Sequence, residues 1–254
     1  MLLDSYRDEF KKAWILGYNL IIGSEAFDNV LKDEHDGVEI IDRFIHLLPW
    51  NYKQNKIDMT KNDKITVVVT YRAPRFKHLL SLWKEKRKNG QRFKKWIITT
   101  RSKLGSIDSL GVAEIFLKKG LNVVIADIGG ITNAGYDISN IIACDILNAT
   151  CTKEKHVIGS DPPLFMNTKS NLTGNLGIDD YHLDLIDEAI RKYDCKYANM
   201  IQKYERSGQL RLIYPTELRK VMDSCNETSK KGMERTKLKQ QLVCIATDCT
   251  EVFN

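Results

Sequence analysis

The chain has 254 residues, of which 43% are hydrophobic and 28% are charged. This apolar fraction is too high for an intrinsically disordered protein, and 15 Gly with only 5 Pro exclude a collagen-like or Pro-rich chain. A net charge of +6 is only mildly basic, so we expect no nucleic acid partner. The apolar runs are far shorter than the roughly 20 residues that cross a bilayer, so we expect no membrane span.

The first part of the chain predicts a helix, a strand and a polar loop. Residues 5–16 have apolar side chains at helical spacing, and Gly17 follows them as a stop. Residues 19–22 form a short apolar run typical of a strand, and the turn-like sequence Gly-Ser-Glu-Ala-Phe comes next. This order places the carboxylate of Glu25 just after a strand, where α/β sheets carry their chemistry.

The clearest strand lies at 64–70, a β-branched run that is apolar on both faces and typical of a central parallel strand. It leads directly into Tyr-Arg-Ala-Pro, which includes Arg72. After Pro74 the spacing of apolar residues predicts an amphipathic helix to about Lys88. Ser81 lies on this helix, nine residues after Arg72.

This strand-loop-helix segment carries several hydrogen-bond donors that can bind a phosphate. Arg72 offers a planar fork of N–H donors, and we expect the loop and first helical turn to offer unpaired backbone N–H groups. The hydroxyl of Ser81 would add a further donor to the phosphate site. The alternative is an ordinary strand-loop-helix, in which Arg72 faces solvent and Ser81 fills a small gap in the core.

The rest of the chain continues the alternation of strands and helices. This order predicts an α/β fold with a parallel central sheet flanked by helices. We divide the chain into an α/β domain over 1–225 and a basic C-terminal segment over 226–254. The remaining predicted elements are a helix at 38–48, a strand or helix at 96–100, a helix at 111–119, a strand at 121–127 that Gly129-Gly130 ends, a helix at 137–147, a loop-rich segment at 151–177, a helical stretch at 178–204, a strand at 210–214, a short helix at 217–225 and a basic, poorly periodic segment at 229–239.

Charge and cysteines leave several possibilities open. The segment from Arg72 to Lys95 carries ten Lys and Arg residues against the single acid Glu85, which fits either a surface for an anionic partner or a solvated helix face. The six cysteines include no CxxC pair, so we expect no metal, and their pairing stays open. Three N-x-T sequons permit, without requiring, a secretory compartment.

The sequence VVVTYRAPRFKHLLSLW resembles the 3′-phosphate-binding segment of the P-loop sulfotransferase superfamily, in its carbohydrate sulfotransferase branch. In that family a strand ends in an Arg, a Pro follows closely, and a Ser on the next helix completes the site. The commoner spacing from Arg to Ser is eight residues, whereas it is nine here. A longer form found in divergent proteins of single-celled eukaryotes is YRxPRxxHxxSxW, and the positions that match it are Tyr71, Arg72, Pro74, Arg75, His78, Ser81 and Trp83.

The resemblance implies a function and a set of site residues. Arg72 and Ser81 would bind the 3′-phosphate of the donor 3′-phosphoadenosine 5′-phosphosulfate, and Glu25 would be the catalytic base. The alternative for Glu25 is a loop carboxylate that caps the following helix. The reaction would transfer a sulfuryl group to a hydroxyl, in particular that of a carbohydrate, without a metal. Family members usually work in the Golgi lumen. His78 is a second candidate base, but its helical spacing favours packing near the phosphate loop.

One family element is missing from the expected place. The family binds the 5′-phosphosulfate with a Gly-rich loop after its first strand, and no such loop occurs within 1–19. We therefore expect a P-loop nucleoside triphosphate hydrolase or sulfotransferase-like fold whose first strand and P-loop are missing, with catalytic competence in doubt. The alternative is a noncatalytic, sulfotransferase-derived module that binds an anionic glycan or nucleotide. A nucleoside triphosphate hydrolase is a weaker third hypothesis, since neither Walker element is present.

Overall fold

The computed structural model describes residue 12 and residues 66–86, 91–99, 108–146, 176–225 and 233–249. Lys12 is helical, while the predicted elements at 19–22 and 38–48 and the candidate base Glu25 lie outside these residues. The elements of the described part are β1 (Thr66–Tyr71), α1 (Arg75–Lys86), α2 (Phe93–Thr99), α3 (Ser109–Lys118), β2 (Asn122–Asp127), α4 (Ile128–Asn133), α5 (Ile138–Ile141) with a π-helical continuation (Ile142–Ile146), α6 (Asp180–Asp194), a 3-10 turn (Cys195–Tyr197), α7 (Ala198–Arg206), β3 (Leu210–Ile213), α8 (Thr216–Asp223) and α9 (Arg235–Thr247).

The three strands form a parallel sheet in the order β1-β2-β3. Val68 pairs with Val124, and Ile125 pairs with Leu212. Helices connect the strands, because parallel neighbours need a crossover. The predicted α/β architecture with a parallel sheet flanked by helices is therefore confirmed.

The middle strand β2 is the most buried of the three. Every residue from Val123 to Asp127 is buried, which accounts for its nearly continuous run of apolar side chains. β1 alternates between exposed and buried positions and ends in the fully buried Tyr71. Among the described strands the central position therefore belongs to β2, whereas β1, which the sequence predicts to be central, lies at an end of the order and is partly exposed.

Helices cover the sheet and share one main core. α3 packs on β1 and β2, α1 packs on α6, and α9 packs on α6 and α2. Aromatic side chains join α1 to α2, with the ring centroids of Trp83 and Phe93 5.8 Å apart and those of Phe93 and Trp96 6.1 Å apart. The part of the ambiguous segment 96–100 that the structure describes, up to Thr99, is helical and belongs to α2.

β2 ends at Asp127, as predicted, and the glycine pair after it belongs to the next helix. Gly129 and Gly130 lie inside the short helix α4. A Cβ atom on Gly130 would lie 1.9 Å from the carbonyl oxygen of Tyr214, and one on Gly129 would lie 3.1 Å from that of Ala73. The two glycines thus allow α4 to approach the loops that follow β3 and β1.

The C-terminal segment contains more regular structure than its sequence predicts. α9 begins at Arg235, within the stretch predicted as poorly periodic. Leu238, Leu242 and Ala246 lie one turn apart and are buried in the main core. The described part of 226–254 therefore packs into the same core as the α/β elements.

Two disulfides join described cysteines. Cys195 pairs with Cys225 at a Cα–Cα distance of 5.5 Å, and Cys244 pairs with Cys249 at 5.0 Å. Cys144 is disulfide-bonded as well. Within the ranges given above, no helix is both long and apolar enough to cross a bilayer.

Candidate functional site

Arg72 is the first residue after β1, at the carboxyl edge of the sheet, where α/β proteins bind ligands. Its side chain is half-buried, and burial lowers the pKa of its guanidinium, which stays protonated at any physiological pH. No described residue forms an ion pair or hydrogen bond with that guanidinium. A half-buried cation without a carboxylate partner is a candidate ligand for an anion.

Arg75, by contrast, belongs to the interior. Its Nε lies 2.8 Å from Oδ2 of Asp194, and both side chains are 1% exposed. Its guanidinium lies 4.7 Å from the centroid of the Tyr71 ring, and the Tyr71 hydroxyl donates to Asp194 at 3.2 Å. Burial raises the pKa of Asp194 to about 6, against the opposing charge of Arg75. Arg75 therefore supplies no charge to the basic surface that the sequence suggests between Arg72 and Lys95.

His78 packs beside the same arginine. Nδ1 of His78 lies 3.4 Å from Nη1 of Arg75. Burial, followed by the charges of Arg75 and Arg72, lowers the pKa of His78 to about 3. The prediction that His78 packs near the phosphate loop agrees with this position.

The start of α1 differs from the sequence-based expectation. Asp187 of α6 accepts hydrogen bonds from the backbone N–H groups of Arg75 and Phe76, the latter at 3.3 Å. The N–H of Lys77 donates to the carbonyl of Pro74 at 3.0 Å. The expectation of unpaired N–H groups in the first turn of this helix is therefore wrong, because a carboxylate from α6 already binds them.

A second carboxylate, that of Asp127, caps two further helices at this edge of the sheet. Asp127 ends β2, and its Oδ1 accepts from the N–H of Gly130 at 3.0 Å. Its Oδ2 accepts from the N–H groups of Glu217 at 2.7 Å and Leu218 at 2.8 Å. Asp127 thus caps both α4 and α8. Its place just before a helix with glycines is a capping signal that the sequence carries, whereas Asp187 gives no such signal.

Ser81 lies on an exposed stripe of α1. The structure places it between Lys77 and Lys84, four residues after the first and three before the second, and all three are exposed. The alternative in which Ser81 fills a gap in the core is wrong, since its side chain faces outward. At 1.5 Å per residue, Ser81 lies about 9 Å along the helix from its first residue.

Another buried polar cluster is centred on the carboxylate of Asp108. Asp108 accepts from the hydroxyls of Tyr193 at 2.5 Å and Tyr197 at 2.8 Å, and from the N–H of Gly111 at 3.0 Å. The ammonium of Lys196 lies 3.8 Å from the centroid of the Tyr193 ring. This cluster joins α3 to the end of α6. Since its hydrogen-bonding groups are already engaged with one another, it is structural.

No group of three or more His, Cys, Asp or Glu side chains in the described ranges is arranged to hold a metal ion. No family model matches the chain, and no curated protein or solved structure matches it either. Arg72, with Ser81 on the helix that follows, therefore remains the candidate site on the grounds of its position, burial and charge.

Proposed function

We propose that this chain binds 3′-phosphoadenosine 5′-phosphosulfate and transfers its sulfuryl group to a hydroxyl, in particular that of a carbohydrate. The observation that carries the proposal is the half-buried guanidinium of Arg72, which has no described partner and follows a parallel strand. The parallel α/β sheet and the exposed hydroxyl of Ser81 on the next helix support it. The position of Ser81 agrees with the motif that resembles the sulfotransferase superfamily, and the parallel sheet agrees with the P-loop type of fold of that superfamily.

Each proposed site residue has a distinct chemical role. The fork of Arg72 would bind two oxygens of the 3′-phosphate, and the hydroxyl of Ser81 would donate to a third. Glu25 would take the proton of the acceptor hydroxyl as that oxygen attacks sulfur. The bond from sulfur to the 5′-phosphate oxygen then breaks, and the nucleotide leaves with the electron pair. The sulfate ester and the adenosine bisphosphate are the two products.

A second candidate is a noncatalytic module that binds an anionic glycan or nucleotide. The position of Asp187 favours it, because this carboxylate removes backbone donors that a bound phosphate would otherwise use. Exposed Lys77 and Lys84 on α1, with Lys95 on α2, add positive charge to the same region of sequence. Such a module would retain anion binding and lack transfer.

The disulfides support an oxidising compartment. Cys144, Cys195, Cys225, Cys244 and Cys249 are all disulfide-bonded, and disulfides persist in secretory compartments rather than in the cytosol. We propose the Golgi lumen, which agrees with a carbohydrate acceptor and with the N-x-T sequons.

A transfer assay separates the two candidates. The purified chain is incubated with sulfur-labelled donor and a mixture of glycans, alongside Glu25→Gln, Arg72→Ala and Lys118→Ala. Lys118 is an exposed control, because α3 ends just before β2 begins and so places it at the opposite edge of the sheet. We expect labelled glycan from the parent chain and Lys118→Ala, none from Glu25→Gln, and little from Arg72→Ala. Glycan or nucleotide binding without transfer by the folded parent chain would favour the noncatalytic module.

A further inference from the structure

The neighbours of His78 determine which of its ring nitrogens carries the proton. Nδ1 lies 3.4 Å from Nη1 of Arg75, and a guanidinium has only donors, so Nδ1 must accept. The ring cannot also be protonated there. Burial and the charges of Arg75 and Arg72 keep the ring neutral, with a pKa of about 3. His78 is therefore the tautomer whose single proton is on Nε2.

This Nε2–H is a donor without an acceptor among the described residues. His78 and Ser81 are three positions apart on α1, so their side chains lie on the same face of the helix. Arg72 and His78 meet at the same nitrogen of Arg75: Nη1 lies 3.4 Å from the carbonyl oxygen of Arg72 and 3.4 Å from Nδ1 of His78. Arg72, His78 and Ser81 thus offer three donors in one region, and no described carboxylate pairs with any of these side chains.

We infer that His78 donates its Nε2–H to the same phosphate that Arg72 and Ser81 bind, as a neutral third donor. The inference rests on the proposed function, since it assumes that a phosphate of the nucleotide occupies this place. Arg75 acts through His78, because its hydrogen bond to Nδ1 fixes the tautomer that donates. A neutral donor adds a directed hydrogen bond without adding charge to a site that already contains Arg72.

The test compares two nucleotides that differ only in the 3′-phosphate. 3′-Phosphoadenosine 5′-phosphate and adenosine 5′-phosphate are titrated calorimetrically into the parent chain, His78→Leu and His78→Gln. We expect His78→Leu to bind the bisphosphate about tenfold more weakly and the monophosphate unchanged. His78→Gln retains an N–H donor and should recover most of the loss. A merely structural role for His78 would weaken both nucleotides alike.

A spectroscopic measurement on the parent chain does not depend on any variant folding. Nitrogen-15 spectra of the imidazole at neutral pH should show a proton on Nε2 of His78, and that resonance should shift with the bisphosphate only. A proton on Nδ1, a charged ring, or no response to the bisphosphate would overturn the inference. If His78→Leu keeps the full preference for the bisphosphate, the inference fails and the proposed function stands. If the parent chain itself shows no preference, both fail.

Discussion

Asp187 caps helix α1 by accepting a hydrogen bond from the backbone N–H of Phe76 at 3.3 Å, although the two residues are 111 positions apart. The same oxygen accepts from the N–H of Arg75. One carboxylate of α6 therefore fixes the start of the helix that follows Arg72. A capping residue typically contributes about 1 kcal/mol to the free energy of unfolding, so we expect this contact to stabilise the start of α1.

Replacing Asp187 tests this cap. We expect Asp187→Ala to lower the free energy of unfolding by about 1 to 2 kcal/mol, because two N–H groups at the helix start lose their acceptor. Urea denaturation followed by circular dichroism measures the change. Asp184→Ala is the matched control, since Asp184 lies one turn earlier on α6 and is exposed. Equal stability of the two variants would contradict the capping role.

The buried pair of Arg75 and Asp194 predicts a larger effect. Removing one partner leaves an uncompensated charge in the core, so we expect Arg75→Met to cost about 3 to 5 kcal/mol of the free energy of unfolding. The double variant Arg75→Met with Asp194→Leu should recover part of that loss, because neither charge then remains buried. Denaturant unfolding of the single and double variants measures the coupling. Strictly additive losses would argue against a direct interaction.

The close packing at Gly130 predicts that adding a side chain there destabilises the protein. A Cβ atom there would lie 1.9 Å from the carbonyl oxygen of Tyr214, so the backbone of Gly130→Ala would have to move. We expect a loss of about 3 kcal/mol or more in the free energy of unfolding. Gly135→Ala is the control, because Gly135 has φ +80° and no atom within 4 Å of its added Cβ, so only about 1 kcal/mol of backbone strain is expected. Similar thermal shifts for both variants would contradict the close approach of α4.

His182 predicts a dependence of stability on pH. Its Nδ1 lies 2.5 Å from Asp179, its Nε2 lies 2.5 Å from Asp248, and Lys94 contacts the other oxygen of Asp248 at 3.3 Å. Both ring nitrogens must donate, which requires the charged imidazolium. The hydrogen bonds to Asp179 and then to Asp248 raise the pKa of His182 above its ordinary value of 6.5.

The sign of this effect follows from the direction of the shift. Because the folded pKa is the higher one, the contribution of His182 is complete below pH 6.5 and disappears as the pH rises through the folded pKa. The difference in melting temperature between about pH 5.5 and about pH 8.5 should therefore shrink in His182→Ala and persist in Lys192→Ala. An unchanged pH profile in His182→Ala would contradict the charged state. The carboxylates of Asp179 and Asp248 are exposed, so added salt should weaken the effect.

The sequence shows the strands and α1 well, because β2 is a nearly continuous apolar run and the apolar side chains after Pro74 follow a helical period. From the sequence alone, the segment at Trp96 fits a strand or a helix. The structure shows a helix in which the Trp96 ring stacks on Phe93. Interactions between distant residues are beyond local patterns. Nothing near Arg75 in sequence indicates that Asp194 pairs with it, or that Asp187 caps its helix.

In the candidate site, too, some features can be predicted from the sequence and others cannot. The positions of Arg72 after a strand and of Ser81 on the next helix follow from the local sequence, whereas their surroundings depend on α6. The expected backbone donors are already bound by Asp187, and His78 gains its donor role only through its contact with Arg75. The placement of Arg72 and Ser81 can therefore be predicted from the sequence, whereas their hydrogen-bonding surroundings and the protonation of His78 cannot.

Calorimetric titration of 3′-phosphoadenosine 5′-phosphate into the purified chain, Arg72→Ala, Ser81→Ala and Lys118→Ala tests the central claim most directly. We predict micromolar binding to the parent chain and to Lys118→Ala. Binding to Arg72→Ala should be about 10 to 100-fold weaker, because a hydrogen bond to a charged group contributes about 1.5 to 3 kcal/mol, and Ser81→Ala should lose less. A folded parent chain that does not bind the nucleotide, or an Arg72→Ala variant that binds it equally well, would contradict the account.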